Sequence, residues 1–233
     1  MAKKKLINTP ALIPPYQQEF YSWLYESKRL TKLLDRQWLL NLLTFGNSRR
    51  LADMCLEEIA PHQRVLQMGV SFGDQLGRMA DKLGVYGRLD VVDVSLTQLR
   101  HVRNKYRFLH PSMNFINRDA LEPFAEKYDV IVCYMLLHEL PLPAKSKLIN
   151  LILSSLSPEG KAVFIDYNHA AWWHPLRWLS KMFNRLYQPF AERMSQTEIK
   201  DFALDKQLYD WRKTTAFGKM YQKLTAVRRK GLY

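Results

Sequence analysis

The chain has 233 residues, enough to bury the core of one α/β domain with an appendage. Its 35 Lys and Arg residues against 22 Asp and Glu residues give a formal charge of +13, which predicts an anionic partner, either nucleic acid or an acidic membrane surface. Only two cysteines occur, and no run of about 18 apolar residues is found, which argues against a disulfide framework, a cysteine zinc site and a spanning helix.

The N-terminal part of the chain has helical periodicity. Apolar residues recur at steps of three and four, first at Phe20, Trp23 and Leu24 and then from Leu30 to Leu42, so that they form apolar stripes. We therefore expect residues 1–60 to form a helical cap and residues 61–233 to form an α/β domain.

From Arg64 onward, predicted strands alternate with predicted helices. The strands are 65–68, 88–92, 114–116, 130–134 and 161–166, with further β-like character at 224–227. The helices are 74–82, 96–108 and 145–156. Strands separated by helices pair in parallel through right-handed crossovers, so the pattern predicts a doubly wound, Rossmann-like, mostly parallel sheet. Ligands of such sheets bind beyond the carboxyl ends of the strands.

A glycine turn follows the first predicted strand. Gly69 and Gly73 allow positive φ and a close approach of a ligand to the backbone, and the next helix offers unpaired N–H groups. Ser71 and Phe72 stand where a dinucleotide fingerprint needs open space, so a smaller cofactor without a pyrophosphate fits better. Taken alone, the pattern also fits a plain strand-to-helix turn.

Two aspartates follow the next two strands. The Asp93 carboxylate can accept both hydroxyls of a ribose, while Asp119 with Ala120 can meet the exocyclic amine of a base. Each aspartate alone would also suit a helix cap or a turn.

Four segments together carry a family resemblance: VLQMGVSFGD, VVDVS, NRDAL and LSPEGKAVFIDY. Over about residues 64–170 the sequence resembles the class I methyltransferases that depend on S-adenosylmethionine (SAM). The resemblance implies a SAM cofactor held by the residues that match these motifs and by the end of the fourth strand: Gln67, Gly69, Ser71, Gly73, Asp93, Val94, Asp119, Ala120 and Tyr134.

A narrower resemblance concerns quinone chemistry. Residues 39–51, LLNLLTFGNSRRL, are similar to the corresponding stretch of the UbiE-type quinone C-methyltransferases. Gln67 replaces the usual acidic residue, and Ser71 with Phe72 replaces the second glycine, a combination that resembles the RquA branch of rhodoquinone biosynthesis. That resemblance implies exchange of a ubiquinone methoxy group for an amino group, with SAM as amino donor and a manganese ion assisting. A conventional methyltransferase acting on a quinone or another small hydrophobic acceptor remains the alternative.

His138, Glu139 and Asp166 lie near the ends of neighbouring strands. They are the candidates for acid–base catalysis and, because imidazole and carboxylate suit a hard divalent cation, for manganese binding. The alternative makes His138 a turn residue before Pro141 and Asp166 a loop cap. Tyr134, also a catalytic candidate, can stack on a quinone ring or belong to the core.

The segment 171–194 is amphipathic. Its apolar residues step by four and three, with cationic residues elsewhere around the helix, which is typical either of a helix in a membrane interface or of a lid. We expect a cytoplasmic protein in peripheral contact with the anionic inner membrane and with ubiquinone or a related isoprenoid quinone. An RNA-binding module is disfavoured because the basic residues are spread along the chain, so we expect no nucleic-acid partner.

Overall fold

The computed structural model describes residues 27–175 and 197–230. The predicted helical stripe at Phe20, Trp23 and Leu24 and residues 176–194 of the amphipathic segment lie outside the described residues. The described α-helices are α1 (Lys28–Leu34), α2 (Gln37–Leu43), α3 (Ser48–Leu56), α4 (Gln75–Leu83), α5 (Leu96–Tyr106) and α6 (Leu142–Ser154). The described strands are β1 (Arg64–Met68), β2 (Arg88–Asp93), β3 (Met113–Asn117), β4 (Tyr128–Tyr134), β5 (Leu156–Tyr167), β6 (Tyr209–Ala216) and β7 (Tyr221–Arg228).

These strands form one sheet in the order β3-β2-β1-β4-β5-β7-β6. The strands from β3 to β5 pair in parallel, whereas β7 is antiparallel to both β5 and β6. The prediction of a doubly wound, mostly parallel sheet is confirmed. Short 3₁₀ helices at Leu137–Glu139, Ile199–Phe202 and Lys206–Leu208 complete the described elements.

The central strands are apolar on both faces because both faces are covered. Alternate residues such as Val65 and Val163 belong to a core under α3, α4 and α5. Their neighbours Leu66 and Phe164 belong to a second core under α6. Parallel sheets buried on both sides require such continuous apolar runs, which is why the sequence pattern located β1, β2 and β4 well.

The strand order reverses between β1 and β4. From β1 the chain moves outward to β2 and β3, and it returns to place β4 on the other side of β1. The loops that leave β1 and β4 therefore diverge at the carboxyl edge, and this switch point is where doubly wound sheets bind ligands.

Three elements differ most from the sequence prediction. Strand β5 begins at Leu156 and not at Lys161, so it starts within the range that was predicted as helix. Strand β6 was not predicted, because this edge strand exposes most of its side chains and carries Lys, Arg and Thr instead of an apolar alternation. Helix α6 begins at Leu142 and not at Lys145, since Pro141 caps it and Pro143 suits its first turn.

Helices α1 and α2 approach the loop at the carboxyl edge of the sheet, whereas α3 packs on one of its faces. Helix α1 packs against α5, and the side chain of Asp35 after α1 reaches the loop between β1 and α4. Residues 27–56 are thus largely helical, whereas the division of the chain into a cap and an α/β domain at residue 60 stays a prediction. Among residues 27–175 and 197–230, none of the helices has both the length and the apolar character to cross a membrane.

Candidate functional site

The loop after β1 has the backbone conformation expected from its glycines. Gly69 has φ of +78° and Gly73 has φ of +80°, values that residues with a side chain rarely adopt. A Cβ atom on Gly73 would lie 2.8 Å from Leu40 Cδ1 and 3.1 Å from Gln37 Oε1. Gly73 is therefore required both by its backbone angle and by the close packing of α2 above it.

Asp93 joins this loop to the end of β2. Its carboxylate accepts hydrogen bonds from the backbone N–H groups of Val70, at 2.7 Å, and Ser95, at 2.6 Å. Burial raises the pKa of Asp93 to about 6, although both backbone bonds act in the opposite direction. Each carboxylate oxygen keeps a lone pair for a ribose hydroxyl, and the partly exposed Val94 follows.

Asp119 and Ala120 lie at the end of β3, both partly exposed. One oxygen of Asp119 accepts the N–H of Leu121 at 2.9 Å, which is the turn role that the sequence left open. Asn117 donates to the backbone oxygens of Asp93 and Val94 at 3.0 and 2.8 Å. The predicted adenine and ribose positions are therefore tied together at one edge.

A buried amide network underlies the glycine loop. Gln67 is fully buried, and its amide donates to the Gly69 carbonyl at 3.3 Å. Gln75 donates to Gln67 Oε1 at 3.4 Å and accepts from the Ser71 hydroxyl. These three side chains are neutral, so no charged group stands at the strand end where the resemblance expects an acid.

A cavity of about 220 Å³ opens between the cap and the switch point. The cap contributes mainly apolar walls, from Leu34, Gln37, Leu40, Leu43, Thr44, Ser48 and Ala52. The β1 loop, α4 and α5 contribute Val70, Ser71, Phe72, Asp74, Gln75 and Gln98. The end of β4 contributes Tyr134, Met135, His138 and Glu139.

His138 and Asp166 form a buried pair at this cavity. The ring Nδ1 of His138 lies 2.8 Å from Asp166 Oδ1, and the side chains are 4% and 1% exposed. Burial lowers the pKa of His138, but the charge and hydrogen bond of Asp166 outweigh it, so the net pKa is raised. With Nδ1 bound to Asp166, Nε2 is the nitrogen left to act as a base on a ligand in the cavity.

The comparisons agree with this geometry. Residues 65–160 match a protein family described as a methyltransferase domain. Over these residues the chain is similar to that family. No curated protein matches the sequence significantly.

Solved structures show the same fold. A SAM-dependent methyltransferase from Aquifex aeolicus superposes with a TM-score of 0.59 at 16% identity, covering 87% of this chain and 99% of that one. The N-methyltransferase NodS from Bradyrhizobium japonicum, in complex with S-adenosyl-L-homocysteine, gives 0.57 at 16% identity, with 88% and 98% covered.

An O-methyltransferase family protein from Burkholderia thailandensis gives a TM-score of 0.64 at 15% identity, covering 94% of this chain and 64% of that one. At such identities the likeness establishes the fold, which is that of the class I SAM-dependent methyltransferases.

The residues at the carboxyl edge of the sheet suit an adenosyl cofactor. The adenosine half of the cofactor would meet Asp93, Val94, Asp119 and Ala120, and its amino-acid half would meet the loop from Gly69 to Gly73. Asp93 and Asp119 each keep acceptor capacity beyond their backbone bonds.

The predicted manganese ligands do not fit a metal ion. Asp166 Oδ1 accepts from His138 Nδ1 and the N–H of Tyr167, and Oδ2 accepts from the N–H of His138. Oδ1 thus accepts two bonds from the protein and Oδ2 accepts one, the carboxylate is 1% exposed, and Glu139 lines the cavity without joining the pair. Within residues 27–175 and 197–230 no group of three His, Cys, Asp or Glu side chains could hold a metal. The expectation that His138, Glu139 and Asp166 form a metal site is corrected accordingly.

The tyrosines divide between the cavity and the core. Tyr134 lines the cavity, and burial raises its pKa, so it is a neutral phenol. Tyr167 packs edge-on to His138, with 4.8 Å between ring centroids, and stacks on Tyr221 at 5.5 Å. Tyr167 therefore orients the histidine ring.

Three site residues were missed from the sequence. Asp35 and Gln37 lie in the cap, far in sequence from any motif, and only the fold brings them to the loop. Gln75 follows Ser71 by four residues, and this spacing at a helix start was the available signal.

Proposed function

We propose that this protein is a SAM-dependent enzyme that modifies the ring of a hydrophobic quinone, exchanging a methoxy group of ubiquinone or a related isoprenoid quinone for an amino group. The observation that carries the proposal is the cavity at the switch point, which has apolar walls and one buried histidine–aspartate base at its floor. A flat, apolar acceptor with a few polar oxygens matches such a lining.

The neutral amide network supports amination. An amine attacks a ring carbon only when it is unprotonated, and a carboxylate beside it would favour the ammonium form. Gln67, Gln75 and Ser71 present amide and hydroxyl groups at the place where the amino-acid end of SAM would lie. The loop is thus suited to holding a neutral amine.

The exchange balances without an external oxidant. The amino nitrogen displaces the methoxy group, which leaves as methanol with the proton of the amine. The Cα proton is then removed, and its electron pair reduces the quinone to a quinol while a C=N bond forms. Water hydrolyses that bond and gives an aminoquinol and the α-keto acid of the donor. In this proposal His138 Nε2 takes the Cα proton.

The second candidate is methyl transfer to a hydroxyl of a quinol or another small hydrophobic acceptor. It is favoured by the match to a methyltransferase domain and by the same base, because a hydroxyl must lose its proton as it attacks the methyl group. Either reaction uses His138 for proton removal. Neither is routed through manganese, since the described residues do not form a metal site.

One labelling experiment separates the two reactions. The purified protein is incubated with SAM carrying ¹⁵N in its amino group and ¹³C in its methyl group, together with a short-chain ubiquinone or its quinol, with and without manganese. We expect a product that contains ¹⁵N and has lost a methoxy group. A product with ¹³C alone would replace amination by methylation, and an unmodified quinone in every condition would overturn the proposal.

A further inference from the structure

Helix α2 carries apolar side chains on two faces. Leu40 and Leu43 line the cavity on one side. On the other side Trp38 and Leu42, one turn apart, are 61% and 67% exposed. A short helix with apolar side chains on opposite faces is expected to be covered on both of those faces. Its inner face is covered by the domain, whereas its outer face is open to a partner.

The cap that carries this outer face is strongly cationic. Six exposed side chains of the cap have no ion-pair partner among residues 27–175 and 197–230: Lys28, Arg29, Lys32, Arg36, Arg49 and Arg50. The acidic residues of α1 to α3 are already neutralised, because Asp35 pairs with Lys105 and Asp53 pairs with Arg78. The cap thus combines exposed apolar side chains on α2 with exposed, unpaired positive charges on the same group of helices.

Two further tryptophans adjoin this region. Phe45 of the cap stacks on Phe217, which meets His174 edge-on with 4.8 Å between ring centroids, and His174 lies beside Trp173 at 6.0 Å. Trp173 is 62% exposed, and its neighbour Trp172 is 84% exposed. Exposed indole rings therefore occur both on the cap and on the segment that contacts it through Phe217.

We infer that the outer surface of the cap, formed by Trp38, Leu42 and the six cations, is a docking surface for an acidic lipid bilayer. Indole rings favour the headgroup level, leucines enter the acyl region, and lysine and arginine meet the lipid phosphates. This combination matches a bilayer better than RNA, because an exposed leucine finds no counterpart on a phosphate backbone.

Helix α2 then separates the bilayer from the cavity. This consequence rests on the proposed function, because it supplies a lipid-soluble acceptor with a route from the membrane to the face of α2 that Leu40 and Leu43 form. The docking surface itself does not depend on which group is transferred.

The test uses the full-length protein and co-sedimentation with vesicles of phosphatidylcholine alone or with about one third phosphatidylglycerol. We expect binding to the acidic vesicles only, weakening as salt is raised. The double variant Trp38→Ser/Leu42→Ser should lower the partition coefficient about tenfold or more. The double variant Arg49→Gln/Arg50→Gln should also lower the partition coefficient and should make it depend less on salt.

The control is Phe108→Ser/Leu109→Ser, which removes side chains that are 83% and 70% exposed elsewhere. It should bind acidic vesicles like the wild type. Three results would each overturn the inference. The Trp38/Leu42 variant could bind acidic vesicles as well as the wild type does, or the wild type could bind neutral vesicles as well as acidic ones. The third is salt-sensitive binding to RNA without any binding to vesicles. Activity on a short-chain quinone in solution should be unchanged in the Trp38/Leu42 variant. Absent activity in the wild type, with vesicle binding retained, would refute the proposed function alone.

Discussion

The Asp35 carboxylate accepts a hydrogen bond from the backbone N–H of Gly73 at 2.8 Å and so connects the cap to the cofactor loop. Lys105 on α5 donates to the same carboxylate at 2.9 Å and to the Gly73 carbonyl at 2.7 Å. His101 Nε2 lies 2.9 Å from the second carboxylate oxygen. One aspartate thus holds α1, α5 and the glycine loop in a fixed arrangement over the cavity.

Asp35→Asn should loosen this arrangement. The variant loses the charge that pairs with Lys105, in a carboxylate that is only 10% exposed, so the free energy of unfolding should fall by about 1–3 kcal/mol. Urea denaturation measures it. Asp53→Asn removes a more exposed pair with Arg78 and should cost less than about 1 kcal/mol. Equal losses for the two variants would contradict the role assigned to Asp35.

Gly73→Ala tests the close packing of α2 on the loop. Gly46 has nearly the same φ, +79°, but its Cβ position is open, so Gly46→Ala measures the backbone cost alone, about 1–2 kcal/mol. Gly73→Ala should cost more because of the contact with Leu40. Combining it with Leu40→Ala should recover part of the difference in a double-mutant cycle. No coupling would show that α2 does not press on Gly73 in solution.

His138→Ala should reduce turnover about 10²–10⁴-fold while SAM binding is kept, because it removes the base and not the adenosine contacts. The active form is neutral histidine, so turnover should rise with pH through a pKa above the ordinary 6.5. Asp166→Asn should reduce turnover. It should also move the rise of turnover with pH (the acid limb of the pH profile) to lower pH, because without the Asp166 charge burial alone lowers the pKa of His138. Stability from the charged pair is present below pH 6.5 and is lost as pH rises through the raised pKa. An unmoved acid limb in Asp166→Asn would contradict this account.

Gln67→Glu places a carboxylate in a fully buried position facing the Gly69 carbonyl. We expect the free energy of unfolding to fall by about 2–4 kcal/mol at pH 8. A buried Glu has a raised pKa, so this loss should shrink as pH falls. The control Gln63→Glu keeps its oxygen as acceptor for the Ala60 N–H and should be nearly neutral. A carboxylate at this position favours the ammonium form of the SAM amino group, so the rate of amination should fall more than the rate of methyl transfer. Analysis of the products formed from labelled SAM measures both rates, and an equal or larger fall in methyl transfer would contradict the prediction.

The sequence predicted the parts of the fold that repeat a strong pattern. Buried parallel strands such as β1 and β4 are largely apolar, and the glycines after β1 have the positive φ that was expected. Strand β6 escaped because a solvated edge strand has no apolar alternation.

The sequence motifs predicted which residues belong to the site, but not the hydrogen bonds between them. His138 and Asp166 were both identified, yet their adjacency in the fold makes them a hydrogen-bonded pair and excludes the expected metal role. Asp35 could not have been assigned, because its partners Gly73 and Lys105 are brought to it only by the packing of α1 on α5. Sequence spacing carries no information on such contacts.

Calorimetric titration with S-adenosylhomocysteine tests most directly whether the carboxyl edge of the sheet binds an adenosyl group through Asp93. We predict saturable binding at pH 8 that weakens below pH 6, where Asp93 gains a proton, by about tenfold per pH unit. Asp93→Asn should weaken binding about tenfold or more and remove this pH dependence. Asp81→Asn, at a carboxylate that is 72% exposed, should leave both unchanged. Absence of binding heat, or equal affinity in the Asp93→Asn variant, would contradict the account.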